Sequence, residues 1–555
     1  DCEAWTEGFD ALLQDGRFLP GGRILAGAGT ARHVTLFNCF VMGLIEDSMD
    51  GIFQALKEGA LTMQQGGGVG YDFSTLRPAG TRTRSAAGIA TGPVSFMKIW
   101  DAMCGTVLSQ GARRGAMMAC LRCDHPDIET FIDAKREAGA LHCFNLSVLV
   151  SEDFLQAVDE DAEWPLAFPA DAITGVEGPL LQRTWSGDLT PRPCRVLRTV
   201  RARALWERLM RTAWETAEPG VLFIDRINRL DNLGWREQIS ATNPCGEVPL
   251  PPYGACDLGS LDLTRFVRHP FTPQAGLDFE RLAESAALAV RLLDNVIDVS
   301  RYPLPQQETE AHRSRRVGLG ITGLASTLIL LGLRYDHTDG RELAARIMAT
   351  IRDAAYRASV ELAREKGPFP ACDAGHLLER PFIRRLPEAL RNAIARHGLR
   401  NSHLLAIAPA GSISLLAGNV SSGLEPVFSA RMERAVRLDA DHVRRFELED
   451  ASIQAWHAAG HEGLPPAFVA ATDIAPEDHL RMQAALQQHV DQSISKTINA
   501  PQDTPFEAFA ALYREADRLE LKGCTVYRPN PLRGAVLTPQ EQEDDLPQQC
   551  EVCQV

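Results

Sequence analysis

The chain has no long hydrophobic run, too few cysteines for a disulfide scaffold and no surplus of positive charge, and each absence removes a class of function. Its most apolar stretch, residues 318–333 (GLGITGLASTLILLGL), is shorter than a membrane span and contains four glycines. It reads as a buried core helix with a glycine-rich entry. Thirteen cysteines in 555 residues, odd in number and irregularly spaced, do not make a secreted disulfide framework. A reducing cytoplasm with a few working thiols fits better. The formal charge is −15, so a nucleic acid or an anionic membrane surface is a disfavoured partner. The arginine pairs Arg113-Arg114 and Arg315-Arg316 remain suited to the phosphates of a small nucleotide. No charged-then-apolar leader opens the chain, which begins at Asp1 rather than Met, and the natural N-terminus is expected to lie upstream.

What is present is an ordinary globular composition, 45% hydrophobic and 23% charged. Ile52, Phe53, Leu56, Ala60 and Met63 form a helical stripe, with Ser48 placed to cap it. Residues 281–300 repeat the pattern, as does the segment from Asp339 to Lys366. There Glu342 stands in capping-box spacing to Asp339, and Gly367 marks the stop. Short β-like runs alternate with these helices at 143–150, 221–227 and 403–409. The alternation predicts an α/β architecture built on one large sheet or barrel. Residues 157–200 lack periodicity and read as an insertion. From Pro539 the chain turns polar and acidic, as a flexible tether does. The tether ends in Cys550-Glu551-Val552-Cys553, a thiol pair placed for delivery.

The most chemical segment is Asn243-Pro244-Cys245-Gly246-Glu247. Pro and Gly on either side of a cysteine break helix and strand alike, so a tight loop tip presenting the thiol is expected. Asn243 offers a donor and an acceptor, and Glu247 can take or return a proton. Cys39 and Cys256 are the other two thiols of interest. Either alone reads as a small core residue; adjacent in space, they would supply a matched pair of reducing electrons. Cys120 and Cys123 sit among apolar residues and read as core. No compact CxxC…CxxC spacing exists to hold a structural zinc. Three flexible segments complete the set. Residues 64–73 (QQGGGVGYDF) allow close backbone approach, but without the strand-to-helix context of a dinucleotide fold. Residues 409–414 (PAGSIS) offer amides to a phosphate or make a simple turn. Residues 110–118 (QGARRGAMM) read as a solvated loop or a nucleotide reader.

Taken in order, EPGVLFIDRIN (218–228), ATNPCGEVPLPPYGACDLGSLDL (241–263), RRVGLGITGLA (315–325), PAGSIS…SSGLEP (409–426) and SISKTIN (493–499) resemble the catalytic chain of ribonucleotide reductases. The pattern is most similar to the adenosylcobalamin-dependent group, class II. The resemblance implies a ten-stranded α/β barrel with a finger loop inside it, reached after an N-terminal helical part of residues 1–65 and extending to residue 537. It implies that Cys245 becomes a thiyl radical and takes hydrogen from the ribose 3′ carbon. Glu247 would accept the 3′-hydroxyl proton, Asn243 would hold the sugar, and Cys39 would protonate the departing 2′-hydroxyl. Cys39 and Cys256 would then close as a disulfide. Gly22, Asn38 and Gly67 would line the substrate, and Pro409, Ala410, Gly411, Ser412 and Ile413 would bind its phosphates. At Gly22 relatives often carry Ser, so that contact would be backbone only. Arg113, Arg114 and Gly115 would belong to the loop that transmits effector identity, and residues 73–85 would lie near a nucleoside triphosphate effector at a homodimer interface. Cys550 and Cys553, on the tail 538–555, would reset the barrel disulfide and be renewed by thioredoxin or a glutaredoxin-type donor. No ATP-sensing activity domain is expected, and the tail is expected to be clipped.

The class follows from what is missing. Imported radicals travel through adjacent tyrosines, and none of the seven tyrosines has a tyrosine neighbour. The terminus also lacks the glycyl-radical context of the oxygen-sensitive class. Adenosylcobalamin remains as the radical source. The alternatives are a class I large subunit fed by an external radical subunit, or a non-catalytic nucleotide-binding regulator on the same fold.

Overall fold

Ten strands make the principal sheet of the chain, in a computed structural model that describes residues 2–82, 88–109, 113–137, 139–437 and 443–529. They are β1 (Phe18–Pro20), β2 (Cys39–Val41), β3 (Gly68–Asp72), β4 (Met117–Arg122), β5 (Phe144–Val150), β6 (Gly220–Phe223), β7 (Ala255–Asp262), β8 (Val317–Thr322), β9 (Thr497–Asn499) and β10 (Gly523–Tyr527). Strands β2 to β6 pair in chain order, all parallel. In the other half β7 pairs parallel with β8. Two parallel bridges, Leu319↔Leu405 and Ile407↔Ile494, carry the pairing onward. Residue 494 runs directly into β9, which is parallel to β10. The halves meet at two antiparallel seams, β2 against β7 and β6 against β10. These pairings close the sheet into the expected barrel, and β1 adds antiparallel to β7. Closure leaves the ring without a free edge.

The strands alternate between two apolar environments, as the two-residue side-chain period requires. Phe40, Met117, Ala119 and Leu146 face the large outer core beneath the helices. Cys39, Val41, Met118, Cys120, Cys256 and Leu258 face an inner cluster, joined there by Val248 and Leu250. Because both faces of a barrel strand are buried, its sequence reads as a continuous apolar run.

That ambiguity explains two corrections. Residues 318–333 are not one helix: β8 supplies the first part, Gly323 turns the chain at φ 74°, and helix Leu324–Leu330 follows. Likewise 221–227 divides between β6 and helix Ile224–Leu230. Helix Met49–Gln64 has the predicted cap, with Ser48 Oγ accepting from the Gly51 amide at 3.0 Å. Helix Phe279–Val299 also forms as predicted. Helix Thr338–Lys366 stops at Gly367, but the Asp339–Glu342 capping box does not form. The helix starts one residue earlier, with His337 as its cap, and Asp339 lies in the first turn. Its charge there favours the helix dipole. The aperiodic excursion holds a three-stranded antiparallel sheet, Glu163–Pro169, Leu180–Arg183 and Arg192–Arg201, on its own small core around Phe168 and Trp185. No helix among the described residues is long and apolar enough to cross a membrane.

Candidate active site

A short hairpin, Ala241–Thr242 against Pro249–Leu250, carries the NPCGE segment among the inner apolar side chains. Its tip is a tight turn, as the flanking Pro and Gly predict. Gly246 has φ 83° and its amide donates to Asn243 O at 3.1 Å. The Asn243 side chain closes the base of the turn, its Oδ1 accepting from the Val248 amide at 3.0 Å. Both halves of the barrel hold this finger. Asn145 at the start of β5 donates to Pro244 O at 2.8 Å, and the Ser493 amide donates to Glu247 O at 2.9 Å.

The glycines of 64–73 find their reason here. A Cβ on Gly70 would stand 1.8 Å from Thr242 O, and one on Gly68 would lie 3.2 Å from the Pro244 ring. Strand β3 is thus cut back to let the finger pass. Gly318 makes room for its strand neighbours instead: a Cβ there would stand 2.4 Å from the Leu258 side chain and 3.1 Å from Cys256 Sγ.

Cys39 and Cys256 are in direct register across the β2–β7 seam. Opposed residues of an antiparallel pair have Cα atoms about 4.5–5.5 Å apart, within the range that a disulfide spans. The Asn243 amide donates to Cys39 Sγ at 3.1 Å, and the Cys39 thiol faces Glu247 Oε1 at 3.6 Å. One amide, one carboxyl and one thiol thus form a connected chain at the finger's base. The Gln492 amide lies 3.9 Å from Cys256 Sγ and is anchored to Val317 O at 3.0 Å.

Burial governs the proton affinities. It pushes the Cys39 thiol well up; the Glu247, Cys256 and Cys245 groups add to this, while the Asn243 donor opposes it. It pushes Cys256 well up too, with Asp257 adding and Gln492 opposing. Both sulfurs are therefore held as protonated thiols at neutral pH. Burial likewise raises Glu247, against the lowering effect of Asn243 and Cys39. Glu247 Oε2 is buried without a hydrogen-bond partner, and so is Asn38 Oδ1. Cys245 at the tip is half-buried, whereas Asn243 and Glu247 are fully buried.

The other expected residues fall in distinct places. Gly22 opens helix Gly22–Gly27, and a Cβ there would meet nothing within 4 Å. Gly67 is packed under Phe40 and Thr62. Pro409 and Ala410 lead into the short helix Gly411–Leu416, which contains Ser412 and Ile413. Ala410 and Ile413 pack on Leu19 of β1, next to the Gly21–Gly22 turn. Arg113 and Arg114 form a two-residue strand against Leu108–Ser109, and Gly115 lies close against Met63 and Cys104. Cys120 and Cys123 are buried as expected, Cys120 in the inner cluster. Cys550 and Cys553 lie outside the described residues. Sequence reasoning missed Asn145 and Gln492. Gln492 directly precedes the SISKTIN segment, which was its only signal; Asn145 gave none, sitting in a run that reads as plain strand.

The family model described as ribonucleotide reductase, barrel domain, matches residues 37–527. The chain is 39% identical over 553 residues to the vitamin B12-dependent ribonucleoside-diphosphate reductase of Mycobacterium tuberculosis (strain CDC 1551 / Oshkosh), covering 96% of this chain and 73% of that protein. It is 34% identical over 568 residues to the vitamin B12-dependent ribonucleoside-diphosphate reductase of Thermoplasma acidophilum, covering 99% and 68%. Against the ribonucleoside-diphosphate reductase large subunit of vaccinia virus the identity is 29% over 446 residues, covering 77% and 57%. With a match that takes in every strand of the barrel from β2 onward and the finger inside it, the chain belongs to the ribonucleotide reductase family.

Proposed function

We propose that this chain reduces ribonucleoside diphosphates to 2′-deoxyribonucleotides by thiyl-radical chemistry, with adenosylcobalamin as its radical source and Cys39 and Cys256 as the electron donors. The observation that carries the reading is the register of Cys39 with Cys256 beneath a finger bearing Asn243, Cys245 and Glu247. The vitamin B12-dependent relatives support the cofactor and the diphosphate substrate. The site fits that cofactor's chemistry: the Cys245 thiol is half-exposed at the tip while its partners are buried behind it. Adenosylcobalamin, when bound, supplies the one-electron oxidant that removes the hydrogen atom of the Cys245 thiol.

The remaining steps belong to the chain. The Cys245 sulfur takes hydrogen from the ribose 3′ carbon, and Glu247 accepts the 3′-hydroxyl proton through its unpartnered Oε2. Cys39 gives its proton to the 2′-hydroxyl, which leaves as water. The two sulfurs of Cys39 and Cys256 join, passing two electrons to the sugar, and the hydrogen of the Cys256 thiol goes to the 2′ carbon; Glu247 returns its proton to the 3′ oxygen, and Cys245 returns hydrogen to the 3′ carbon. Asn243 and the buried Asn38 amide orient the sugar. The backbone of Pro409–Ile413, with Gly22, receives the phosphate end, and Gly67 lines the substrate. The enclosed apolar interior keeps water from the radical.

The partners follow in the same reading. Met49, Phe53 and Leu61 of helix Met49–Gln64 are exposed, which supports a second copy of the chain as their cover. A nucleoside triphosphate effector would bind near that interface, signalling through Arg113, Arg114 and Gly115. Residues 1–537 form the catalytic unit, and tail residues 538–555 carry Cys550 and Cys553 to the disulfide. A thioredoxin or glutaredoxin-type dithiol renews them, as the reducing cytoplasm allows. The test is anaerobic turnover of a ribonucleoside diphosphate with and without adenosylcobalamin. Activity should require the cofactor and vanish in Cys245→Ser. Cys550→Ser should lose turnover with thioredoxin yet keep it with dithiothreitol. Full activity of both variants with both donors would overturn the assignment.

A further inference from the structure

Among the described residues outside the barrel, one cluster combines a carboxylate, an imidazole and a thiol. Asp101 lies on helix Pro93–Thr106, and His142 and Cys143 immediately precede β5. The Cys143 amide fixes Asp101 Oδ1 at 2.8 Å. His142 Nδ1 is 3.3 Å from Asp101 Oδ2, and His142 Nε2 is 3.4 Å from Cys143 Sγ. One ligand atom from each residue lies within 4.8 Å of both others. We propose that Asp101, His142 and Cys143 form a binding site for a borderline-soft divalent metal ion of the zinc type, separate from the nucleotide chemistry of the finger.

Zinc bonds of about 2.0–2.3 Å to oxygen, nitrogen and sulfur in a tetrahedron set ligand-to-ligand edges of about 3.3–3.7 Å. The two measured separations already fall in that range. They use different ring nitrogens, so binding requires the imidazole to turn until one nitrogen meets both partners. The His142 side chain is 47% exposed, which leaves it room to turn. Cys143 is 1% exposed, so the sulfur is anchored while the imidazole faces solvent. That gradient leaves a fourth position open to water. The mixed S, N and O donor set disfavours calcium and magnesium, which take oxygen ligands. The Cys143 amide on Asp101 is the kind of outer contact that orients a ligating carboxylate. Cys104, one turn along the same helix, directs its thiol to Gly115 O at 3.2 Å and is not part of the set.

A bound ion would fasten helix Pro93–Thr106 to the start of β5. The test is a Co2+ titration of the full chain without cobalamin, in a phosphine reductant, on a background of Cys550→Ala and Cys553→Ala that removes the competing tail thiols. The expected result is one Co2+ per chain, with a thiolate-to-cobalt charge-transfer band and tetrahedral d–d bands. Cys143→Ala should abolish the charge-transfer band. His142→Ala and Asp101→Asn should each weaken binding by about 10-fold or more. Position 142 is half-exposed, so a loss of binding there with unchanged circular dichroism separates ligation from misfolding. Absence of Co2+ binding in the parent, or a charge-transfer band that persists in Cys143→Ala, would overturn the proposal.

Discussion

Cys39 and Cys256 stand directly opposite one another where the two parallel halves of the barrel meet antiparallel. A parallel seam would stagger the two residues; the reversal of strand direction sets them face to face on the inner surface. Disulfide closure then needs no movement of the strands. On a Cys550→Ala and Cys553→Ala background, which stops the tail from reopening the bond, we expect cofactor-primed turnover with no external reductant to yield one deoxynucleotide per chain and a protein two hydrogens lighter. Peptide mapping should find the new bond between positions 39 and 256. Cys39→Ser and Cys256→Ser should each lower turnover by a factor on the order of 10² or more. A product burst of unchanged size in either variant would contradict the pairing.

Glu247 is buried with one oxygen unpartnered, and burial raises its proton affinity. As the base it must be ionised, so the acidic limb of the kcat/KM profile should lie above the ordinary carboxylate range. Glu247→Gln should remove that limb along with most of the activity. Stability runs the other way. A carboxyl whose folded pKa is raised contributes stability that is full below the unfolded pKa and is lost as pH rises through the folded value. Glu247→Gln should therefore raise Tm at neutral pH and leave it unchanged at low pH. An equal Tm shift at both pH values would show that the carboxyl is not the group responsible.

Much of this site was legible in the chain itself. Pro244 and Gly246 announce a turn whatever surrounds them, because their backbone preferences are local. The three thiols could be named but not joined, since their adjacency depends on a seam between strands more than two hundred positions apart. The glycine run 64–73 was visible, while its use was not: clearance for the finger is a contact between β3 and Thr242. Helix and strand were confused at 221–227 and 318–333, where buried strand runs directly into helix and burial erases the period that separates them.

The clearance at Gly70 makes a sharp contrast with Gly22. Gly70→Ala would drive a methyl group into Thr242 O, so the finger or the strand must shift. We expect a loss of about 1–3 kcal/mol in unfolding free energy, with turnover reduced more severely than stability. Gly22→Ala meets nothing within 4 Å and should leave Tm unchanged. Denaturant unfolding and turnover assays on the two variants decide the matter. Equal effects at both positions would show that finger clearance is not what β3 provides.

Gln492 is the polar side chain that sets the environment of Cys256 from the same half of the barrel, anchored on β8. Its amide opposes the burial that raises the thiol, so it favours the thiolate. That state matters when the barrel disulfide is reopened, because one sulfur must leave as a thiolate. We expect Gln492→Leu to slow re-reduction of the isolated disulfide by dithiothreitol about 10-fold, equivalent to roughly 1.4 kcal/mol, while leaving the first-turnover burst largely intact. Gln492→Glu replaces the donor with a negative charge and should slow re-reduction further as pH rises. If Gln492→Leu lowered burst and re-reduction alike, the amide would be supporting the strand rather than the sulfur.

The root of the finger rests on a buried ion network. Arg316, at the foot of β8, bonds Glu237 just ahead of the hairpin and approaches Asp231, which accepts or shares a proton with His403 Nε2 at 2.8 Å. Arg316 and Asp231 are almost wholly enclosed, at 1% side-chain exposure each. Removing one member leaves an uncompensated charge in the interior, which costs about 3–5 kcal/mol. Arg316→Met should therefore destabilise the fold by that order. The double variant Arg316→Met with Glu237→Leu should recover a large part of the loss, because the stranded carboxyl goes with its partner. Chemical denaturation of the single and double variants measures the coupling directly. Turnover should follow Tm in the single variant if the network holds the hairpin's base, and a single variant with native stability would show that the charges are not paired as described.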